Sequence, residues 1–180
     1  MSDLVARIIH CEEAVHASPI LEIFNEVIAT STALYDYQPR TLETMKAWFE
    51  AKRKGGFPVI AAEDASGQFL GFASFGTFRA WPAYKYTVEH SVYVAEAFRG
   101  RGVGRELLKA IVQQAQEKGY HTVVGAIDTA NKASITLHEN AGFKLCGTVR
   151  EAGFKFGRWL DFSLYQLILP TPEHPVEGAG

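Results

Sequence analysis

A short segment rich in arginine and glycine, residues 99–104, lies between a stretch with strand-like alternation and a stretch with helical spacing. Glycine lets a backbone approach a ligand closely, and the first N–H groups of a helix have no partner inside that helix. Such a turn attracts anions, and Arg99, Arg101 and Arg105 add positive charge. The segment therefore predicts an anion-binding loop; the alternative is a solvated basic turn that caps an ordinary helix.

Two common phosphate-binding motifs do not fit this segment. A P-loop needs Gly-x-x-x-x-Gly-Lys-Ser/Thr, which does not occur in the sequence. A dinucleotide fingerprint needs Gly-x-Gly-x-x-Gly, but Arg105 or Leu107 stands at its third glycine. The pattern Arg-x-x-Gly-x-Gly is met, by Arg99, Gly102 and Gly104.

The flanking segments must position this loop. Residues 88–94 alternate as in a strand, and the residues after Gly104 have the apolar spacing of an amphipathic helix. Val88, His90, Val92 and Val94 fall on one strand face, with Glu89, Ser91 and Tyr93 on the other. The helical stripe consists of Leu107, Leu108, Ile111 and Val112.

The other elements follow from periodicity and turn residues. Strands are predicted over residues 4–9, 58–63, 69–78, 85–94, 121–128, 143–149 and 160–169. Helices are predicted over 19–29 with Ser18 as cap, over 42–54 with Thr41 as cap but without a full capping box, from 104 to Gly119, and over 132–140. Gly71 and Gly76 indicate a bulge or a close backbone approach. This order predicts one α/β (α+β) domain over residues 1–169 with a mixed sheet, and a disordered tail over 170–180.

The composition excludes several classes of partner. The 180 residues carry a net charge of −2, so the arginine cluster is local and a nucleic-acid partner is not expected. No stretch approaches transmembrane length and no secretory signal is visible, so no membrane partner is expected. Cys11 and Cys146 show neither metal spacing nor a disulfide framework. We expect a cytoplasmic protein without a metal site.

The loop pattern and residues 131–143, which begin at an asparagine and end in Ala-Gly-Phe, resemble the GNAT acetyltransferase superfamily. Residues 86–94 and 153–161 narrow the resemblance to the phosphinothricin and methionine sulfoximine acetyltransferases, a branch of the L-amino-acid N-acyltransferases. The resemblance covers about residues 4–169 in block order. It implies a mixed, mostly antiparallel, splayed sheet flanked by helices, and a homodimer.

The resemblance also implies acetyl-CoA as co-substrate. Strand residues 92–94 would bind its pantetheine arm through their backbone, the loop would bind its pyrophosphate, and Asn131 would contact it from the next helix. The Val94 N–H would polarise the thioester carbonyl. The implied cofactor-binding residues are Val92, Tyr93, Val94, Arg99, Gly100, Arg101, Gly102, Val103, Gly104, Arg105 and Asn131.

Amine acetylation needs a neutral amine, whereas α-amines titrate near pH ~8. Glu89, three residues before Val92, is the candidate base, and an exposed strand glutamate is the alternative. His138 stands where many members of the superfamily have a tyrosine that protonates the leaving thiolate; the alternative is a plain helix histidine. His90 alternates to the opposite face from Glu89 and is predicted to be a packed histidine.

An amino-acid substrate brings a carboxylate, which arginine binds in bidentate fashion. Arg79 is the candidate, and a solvated loop charge is the alternative. Phe75, Thr77, Tyr35 and Glu89 complete the predicted substrate site, although Phe75 and Tyr35 could equally belong to the core. Trp159 could pack at a dimer interface, or belong to a hairpin within one subunit.

The sequence thus predicts an acetyl-CoA-dependent N-acetyltransferase that acts by direct attack on the thioester. Its predicted acceptor is the α-amine of a small amino acid or an analogue such as methionine sulfoximine, methionine sulfone or phosphinothricin. One alternative is acetylation of protein or peptide N-termini, which needs an open groove. Another is a non-catalytic acyl-CoA-binding module, which an intact Glu89 beside an intact glycine loop argues against.

Overall fold

Seven strands and four helices make up the computed structural model, which describes residues 6–178. The strands are β1 (Arg7–His10), β2 (Val59–Glu63), β3 (Phe69–Thr77), β4 (Thr87–Val94), β5 (Thr122–Asp128), β6 (Lys144–Lys155) and β7 (Arg158–Ile168). The helices are α1 (Glu13–Thr30), α2 (Leu42–Lys54), α3 (Val103–Glu117) and α4 (Lys132–Asn140). The first two residues of the predicted strand 4–9 lie outside the described residues.

All seven strands join in one sheet with the order β1-β2-β3-β4-β5-β7-β6. Only the central pair, β4 and β5, is parallel; the other five pairs are antiparallel. The mixed, mostly antiparallel sheet flanked by helices is therefore confirmed.

The central pair is short, and this opens the sheet. Strand β4 pairs with β5 only over Thr87–Glu89, opposite Thr122–Val124, whereas on its other side it pairs with β3 as far as Val94. From residue 90 to 94, β4 therefore has a partner strand on one edge only. The two central strands splay apart here, as the resemblance implies.

Apolar side chains cover both faces of the sheet. On one face, Leu107 and Leu108 of α3 are fully buried against Val88. On the other, Phe24 of α1 packs edge-on at 4.9 Å between ring centroids against Phe72 of β3. Each fully buried side chain of this size contributes about 1.5–3 kcal/mol through loss of hydrated apolar surface. These two layers hold the splayed strands in place.

Helix α1 begins six residues before the predicted start, so the assignment of Ser18 as its cap is wrong. The helix starts at Glu13 and contains Pro19 in its interior. Proline has no N–H, so the carbonyl of Val15 receives no helical hydrogen bond. Val15 is 63% exposed, and water can therefore reach this side of the helix. The gap in the bonding is tolerated without a break in the helix.

Helix α2 has a full capping box, so the prediction that Thr41 caps it without one is wrong. The Thr41 N–H donates to Thr44 Oγ1 at 2.9 Å, and the Thr44 N–H donates to Thr41 Oγ1 at 3.3 Å. A hydroxyl thus serves where glutamate or glutamine is usual. Thr44 satisfies the same backbone donor over a shorter reach.

Strand β6 extends beyond the predicted end at residue 149 and forms a long hairpin with β7. Register shifts at Leu145/Gly147 and Val149/Gly153 let the pairing continue past residues that interrupt the alternation. Phe156 and Gly157 both have positive φ, as a two-residue hairpin turn requires. The hairpin within one subunit is therefore present, and Trp159 lies on it with 60% of its surface exposed.

Gly71 is a close-approach position, as predicted. A β-carbon there would lie 2.5 Å from the Tyr93 carbonyl oxygen of the neighbouring strand. Residues 170–178 contain neither helix nor strand, but some of them contact the sheet region: Lys85 Nζ donates to the Gly178 carbonyl at 2.9 Å.

Candidate functional site

A cavity of about 740 Å³ opens where β4 and β5 separate. The loop before α3, the free edge of β4, the end of β5, the start of α4 and residues 31–35 form its walls. The predicted site residues that line it are Tyr35, Glu89, Val92, Tyr93, Val94, Arg99, Gly100, Gly102, Gly104, Arg105, Asn131 and His138. The structure therefore brings most of the predicted site residues together around one cavity.

The glycine loop has the backbone conformation of an anion cradle. Gly100 and Gly102 have φ of 71° and 84°, and Gly102 is the N-cap of α3. A side chain is strained in this left-handed region, so glycine is the residue that fits. The first N–H groups of α3, at Val103 and Gly104, have no partner inside the helix, and the helix dipole adds partial positive charge. An anion can bind to this end of α3.

The arginines of the loop have their own contacts. Arg99 forms an ion pair with Glu26, and its Nε donates to the Val94 carbonyl at 3.0 Å. Arg105 Nε lies 3.2 Å from a carboxylate oxygen of Glu106. Arg99 therefore also joins the loop to the end of β4. Arg101 is not among the residues that line the cavity; its guanidinium lies 5.9 Å from the Phe98 ring centroid.

The free edge of β4 and the cap of α4 both line the cavity. Residues 90–94 have no β5 partner, so their outward backbone groups can pair with an extended ligand. Asn131 is the N-cap of α4, and its Oδ1 accepts a hydrogen bond from the Ser134 N–H at 3.1 Å. This bond fixes the side chain and leaves its NH₂ group as a donor. Val103 is buried in the core, so it can contribute only backbone.

Glu89 has the environment of a base. It is half-buried and lines the cavity beside the free edge of β4. Burial raises the pKa of its carboxyl above the usual value, while the charge of Arg79 acts in the opposite direction. A carboxylate with a raised pKa is a stronger base, and a general base is most effective when its pKa is close to the working pH.

His138 is paired with His90, which is a packed histidine as predicted. Their Nε2 atoms lie 3.1 Å apart, and both side chains are buried. His138 Nδ1 lies 2.7 Å from the Ser134 carbonyl oxygen, which can only accept, so this nitrogen carries a proton. Burial lowers the pKa of both rings, that of His90 to about 3. Both are therefore neutral, and His90 Nε2–H donates to His138 Nε2.

Gly125 of β5 makes room for this pair. A β-carbon at this position would lie 2.9 Å from His90 Nε2 and 3.3 Å from His138 Nε2. In the neutral pair His138 Nε2 is an acceptor. Its role as proton donor to a leaving thiolate stays a prediction, and that role requires the cationic form, which burial disfavours.

The buried pair predicts acid sensitivity. In the unfolded chain His90 titrates near 6.5, whereas in the folded protein it stays neutral to about 3. Below about pH 6.5 the unfolded state therefore binds one more proton than the folded state. As the pH is lowered further, the free energy of unfolding should decrease by up to about 1.4 kcal/mol per pH unit because of this residue. Urea unfolding between about pH 6.5 and 4 should show this slope, reduced in His90→Gln. The exposed His10, changed to Gln, is the control; equal slopes in wild type and His90→Gln would contradict the prediction.

Three predicted substrate residues do not line this cavity. Phe75 is 1% exposed and packs in the core against Phe57 and Tyr120, which is the alternative given above. Thr77 and Arg79 line a second cavity of about 210 Å³. Arg79 is exposed, yet its charge acts on Glu89.

Residues 31–34 and Asp128 line the main cavity, although the sequence reasoning does not identify them. Lys155, 4% exposed, holds this loop: its Nζ donates to the carbonyls of Ser31 at 2.8 Å and Leu34 at 2.7 Å. The sequence signal that could have identified this contact is a lysine between two phenylalanines, because an ammonium group that is buried there must find hydrogen-bond acceptors.

Metal-binding clusters and membrane-spanning helices are both absent from the part of the chain that the structure describes. Within residues 6–178, no cluster of three or more histidine, cysteine, aspartate or glutamate side chains could hold a metal ion. No helix in the same range has the length and apolar character needed to cross a bilayer.

Comparison with known proteins agrees with this geometry. Residues 20–143 match the model of the acetyltransferase (GNAT) family. An L-methionine sulfoximine/L-methionine sulfone acetyltransferase of Pseudomonas aeruginosa is 43% identical over 157 residues, which cover 87% of this chain and 91% of that protein. A phosphinothricin N-acetyltransferase of Streptomyces coelicolor is 34% identical, over 82% of this chain and 88% of the relative.

The solved structures include a GNAT superfamily phosphinothricin acetyltransferase from Sinorhizobium meliloti in complex with acetyl-CoA. It is 32% identical, with a TM-score of 0.91 over 97% of this chain and 95% of that one. A family model that spans residues 20–143 and these relatives establish the membership: the chain belongs to the acetyltransferase (GNAT) family and is an N-acetyltransferase.

Proposed function

We propose that this enzyme transfers the acetyl group of acetyl-CoA to the α-amine of a small amino acid or amino-acid analogue. The observation that carries the proposal is one cavity that combines a half-buried carboxylate of raised pKa, Glu89, with a free strand edge and a glycine-rich anion loop. Relatives named for methionine sulfoximine, methionine sulfone and phosphinothricin support the substrate class.

The residues present fit acetyl-CoA, which supplies an activated thioester. The pyrophosphate would bind the N–H groups at the start of α3, next to Gly100 and Gly102. The pantetheine arm would pair with the free edge at residues 92–94, and the Asn131 amide would donate to it from the start of α4. The Val94 N–H would donate to the thioester carbonyl as negative charge develops on its oxygen.

Glu89 would take one proton from the acceptor ammonium, directly or through a water molecule. The neutral amine would then attack the thioester carbon, and the adduct would release its second N–H proton to water as it collapses to the amide and expels the thiolate. His138 lines the same cavity and is our candidate for protonating the thiolate from its cationic form. Direct attack requires both substrates to be bound at once, so an acetylated enzyme should not accumulate.

We further propose a cytoplasmic homodimer. Several apolar side chains of the β6–β7 hairpin are exposed, among them Leu145 at 56% and Trp159 at 60%. Such a surface on an edge hairpin favours an interface. Cys11 and Cys146 are both free thiols, which suits a reducing compartment.

A thiol-release assay over free amino acids, their amides and short peptides tests the substrate class. We expect release with free amino acids and little with amides or peptides. Equal rates with peptides would instead favour acetylation of peptide N-termini. Tight acetyl-CoA binding without any acceptor would favour a non-catalytic acyl-CoA-binding module.

Arg79→Ala should raise the KM for the amino acid and not the KM for acetyl-CoA. A charge-assisted bond to the α-carboxylate contributes about 1.5–3 kcal/mol, so a factor of roughly 10–150 is expected. The variant also removes a charge that lowers the pKa of Glu89, so the acid limb of its pH profile should move to higher pH.

The matched control is Arg53→Ala, which removes an exposed arginine of α2 that pairs with Glu13 and Glu50. The amide of the same amino acid should be a poor substrate of the wild type and lose little more in Arg79→Ala, because the partner of the arginine is already absent. An unchanged amino-acid KM would remove Arg79 from the site.

A further inference from the structure

The cavity contains a second carboxylate that the proposed reaction does not use. Asp128 ends β5, is 5% exposed and lines the cavity. Its Oδ1 accepts a hydrogen bond from the Ala130 N–H at 2.7 Å. Its Oδ2 is buried and has no hydrogen-bond partner in the part of the chain that the structure describes. One oxygen thus fixes the side chain, and the other is unsatisfied.

A buried carboxylate oxygen without a partner is costly, because it has lost water and gained nothing in return. Buried polar atoms in native proteins are otherwise almost always satisfied. The bond from Ala130 prevents the carboxyl from turning its free oxygen towards solvent. The arrangement therefore fits a bound ligand that supplies a hydrogen-bond donor.

Alternation along β5 places Asp128 on the same face of the sheet as Glu89, the proposed base. Val123 and Ile127 pack in the core beneath α3, so Asp128 points to the opposite face. Glu89 lies on that same face, because its neighbour Val88 belongs to the core beneath α3. Tyr35 lines the same cavity as Asp128, and burial and, after it, the charge of Asp128 raise the pKa of its hydroxyl.

The register gives the spacing of the two residues along the sheet, measured between their backbone positions. Glu89 is opposite Val124, and Asp128 is four residues further along β5, or roughly 13 Å at ~3.3 Å per residue. Because the two backbone positions are this far apart, an amino acid whose amine is at Glu89 can extend its side chain towards Asp128.

We propose that Asp128 is a specificity residue that binds an N–H donor at the end of the acceptor's side chain. It would favour a terminal sulfoximine N–H over a sulfone oxygen, and it would disfavour an anionic phosphinate, as like charges repel. This inference rests on the proposed function, since it assigns the substrate class of the same site.

Methionine sulfoximine and methionine sulfone are a matched pair of acceptors, because an N–H of one replaces an oxygen of the other. Wild-type kcat/KM should be on the order of tenfold higher for the sulfoximine. In Asp128→Asn this ratio should fall to about one, since the amide can also donate to the sulfone oxygen. The same variant should improve kcat/KM for phosphinothricin.

Two further variants make the test decisive. Asp128→Ser removes the charge but keeps an acceptor for the Ala130 N–H, so it replaces Asp128→Asn if that variant does not fold. Asp161→Asn is the control: Asp161 also accepts a backbone N–H, from Glu151 at 2.8 Å, and it is not among the residues that line the cavity. Its ratio should equal that of wild type.

A ratio near one in wild type, or a ratio unchanged in the folded Asp128 variants, would overturn the inference while the proposed function stands. A higher KM for acetyl-CoA without a change in ratio would assign Asp128 to the cofactor arm and overturn it as well. If wild type acetylates no amino acid although it binds acetyl-CoA, the proposed function fails and the inference fails with it.

Discussion

Replacing Glu89 by glutamine should lower turnover by on the order of 10²-fold or more, because glutamine keeps the shape of the side chain but cannot accept the ammonium proton. Burial raises the pKa of the Glu89 carboxyl, so the wild type should lose activity on the acid side of its pH profile as this group becomes protonated. The defect of the variant should shrink at alkaline pH, where more of the acceptor amine is already neutral. Turnover and acetyl-CoA affinity, measured across pH, check this expectation.

Glu96→Gln is the control for this substitution, because Glu96 is exposed and lies just beyond the same strand. It should retain wild-type turnover. Acetyl-CoA affinity should change little in Glu89→Gln, since the carboxylate is proposed to act on the acceptor amine and not on the cofactor. Wild-type turnover in Glu89→Gln near neutral pH would assign Glu89 a structural role only.

Gly102→Asp and Gly104→Asp should each abolish detectable acetyl-CoA binding while the fold persists. An aspartate at either position places negative charge where the pyrophosphate is proposed to bind. Losing two charge-assisted bonds of about 1.5–3 kcal/mol each weakens binding by roughly 10²–10⁴-fold. Calorimetric titration with acetyl-CoA measures the loss, and thermal unfolding verifies the fold.

Gly67→Asp is the control that distinguishes the effect of negative charge at the anion-binding loop from the effect of backbone strain. Gly67 has the same φ as Gly102, 84°, but lies in the turn before β3, where a β-carbon would have no atom within 4 Å. The variant should lose a comparable amount of stability and bind acetyl-CoA normally. Unchanged affinity in folded Gly102→Asp and Gly104→Asp would remove the loop from the site.

Local chemistry made the centre of the fold predictable. The glycines of the loop and the apolar stripe of α3 specify a turn and a helix without reference to the rest of the chain. Alternation in β4 correctly assigns Val88 and His90 to one face and Glu89 to the other, because one face is buried beneath α3. Each of these signals lies within a few consecutive residues.

Features that depend on distant parts of the chain were not predictable in the same way. The unsatisfied oxygen of Asp128 depends on the bond from Ala130 to the other oxygen and on burial by segments that are distant in the sequence. The burial of Phe75 depends on Phe57 and Tyr120, which come from other segments. The start of α1 depends on whether solvent reaches the carbonyl four residues before Pro19, which sequence spacing does not reveal.

The most direct test of the account is a stoichiometric measurement of acetyl transfer. Purified enzyme would be incubated with acetyl-CoA and methionine sulfoximine, with free thiol and N-acetylated product quantified in the same samples by a thiol reagent and by NMR. We predict equal molar amounts of thiol and product, with the acetyl group on the α-nitrogen. Thiol release without acetylated amino acid, or no release although acetyl-CoA binds, would contradict the account.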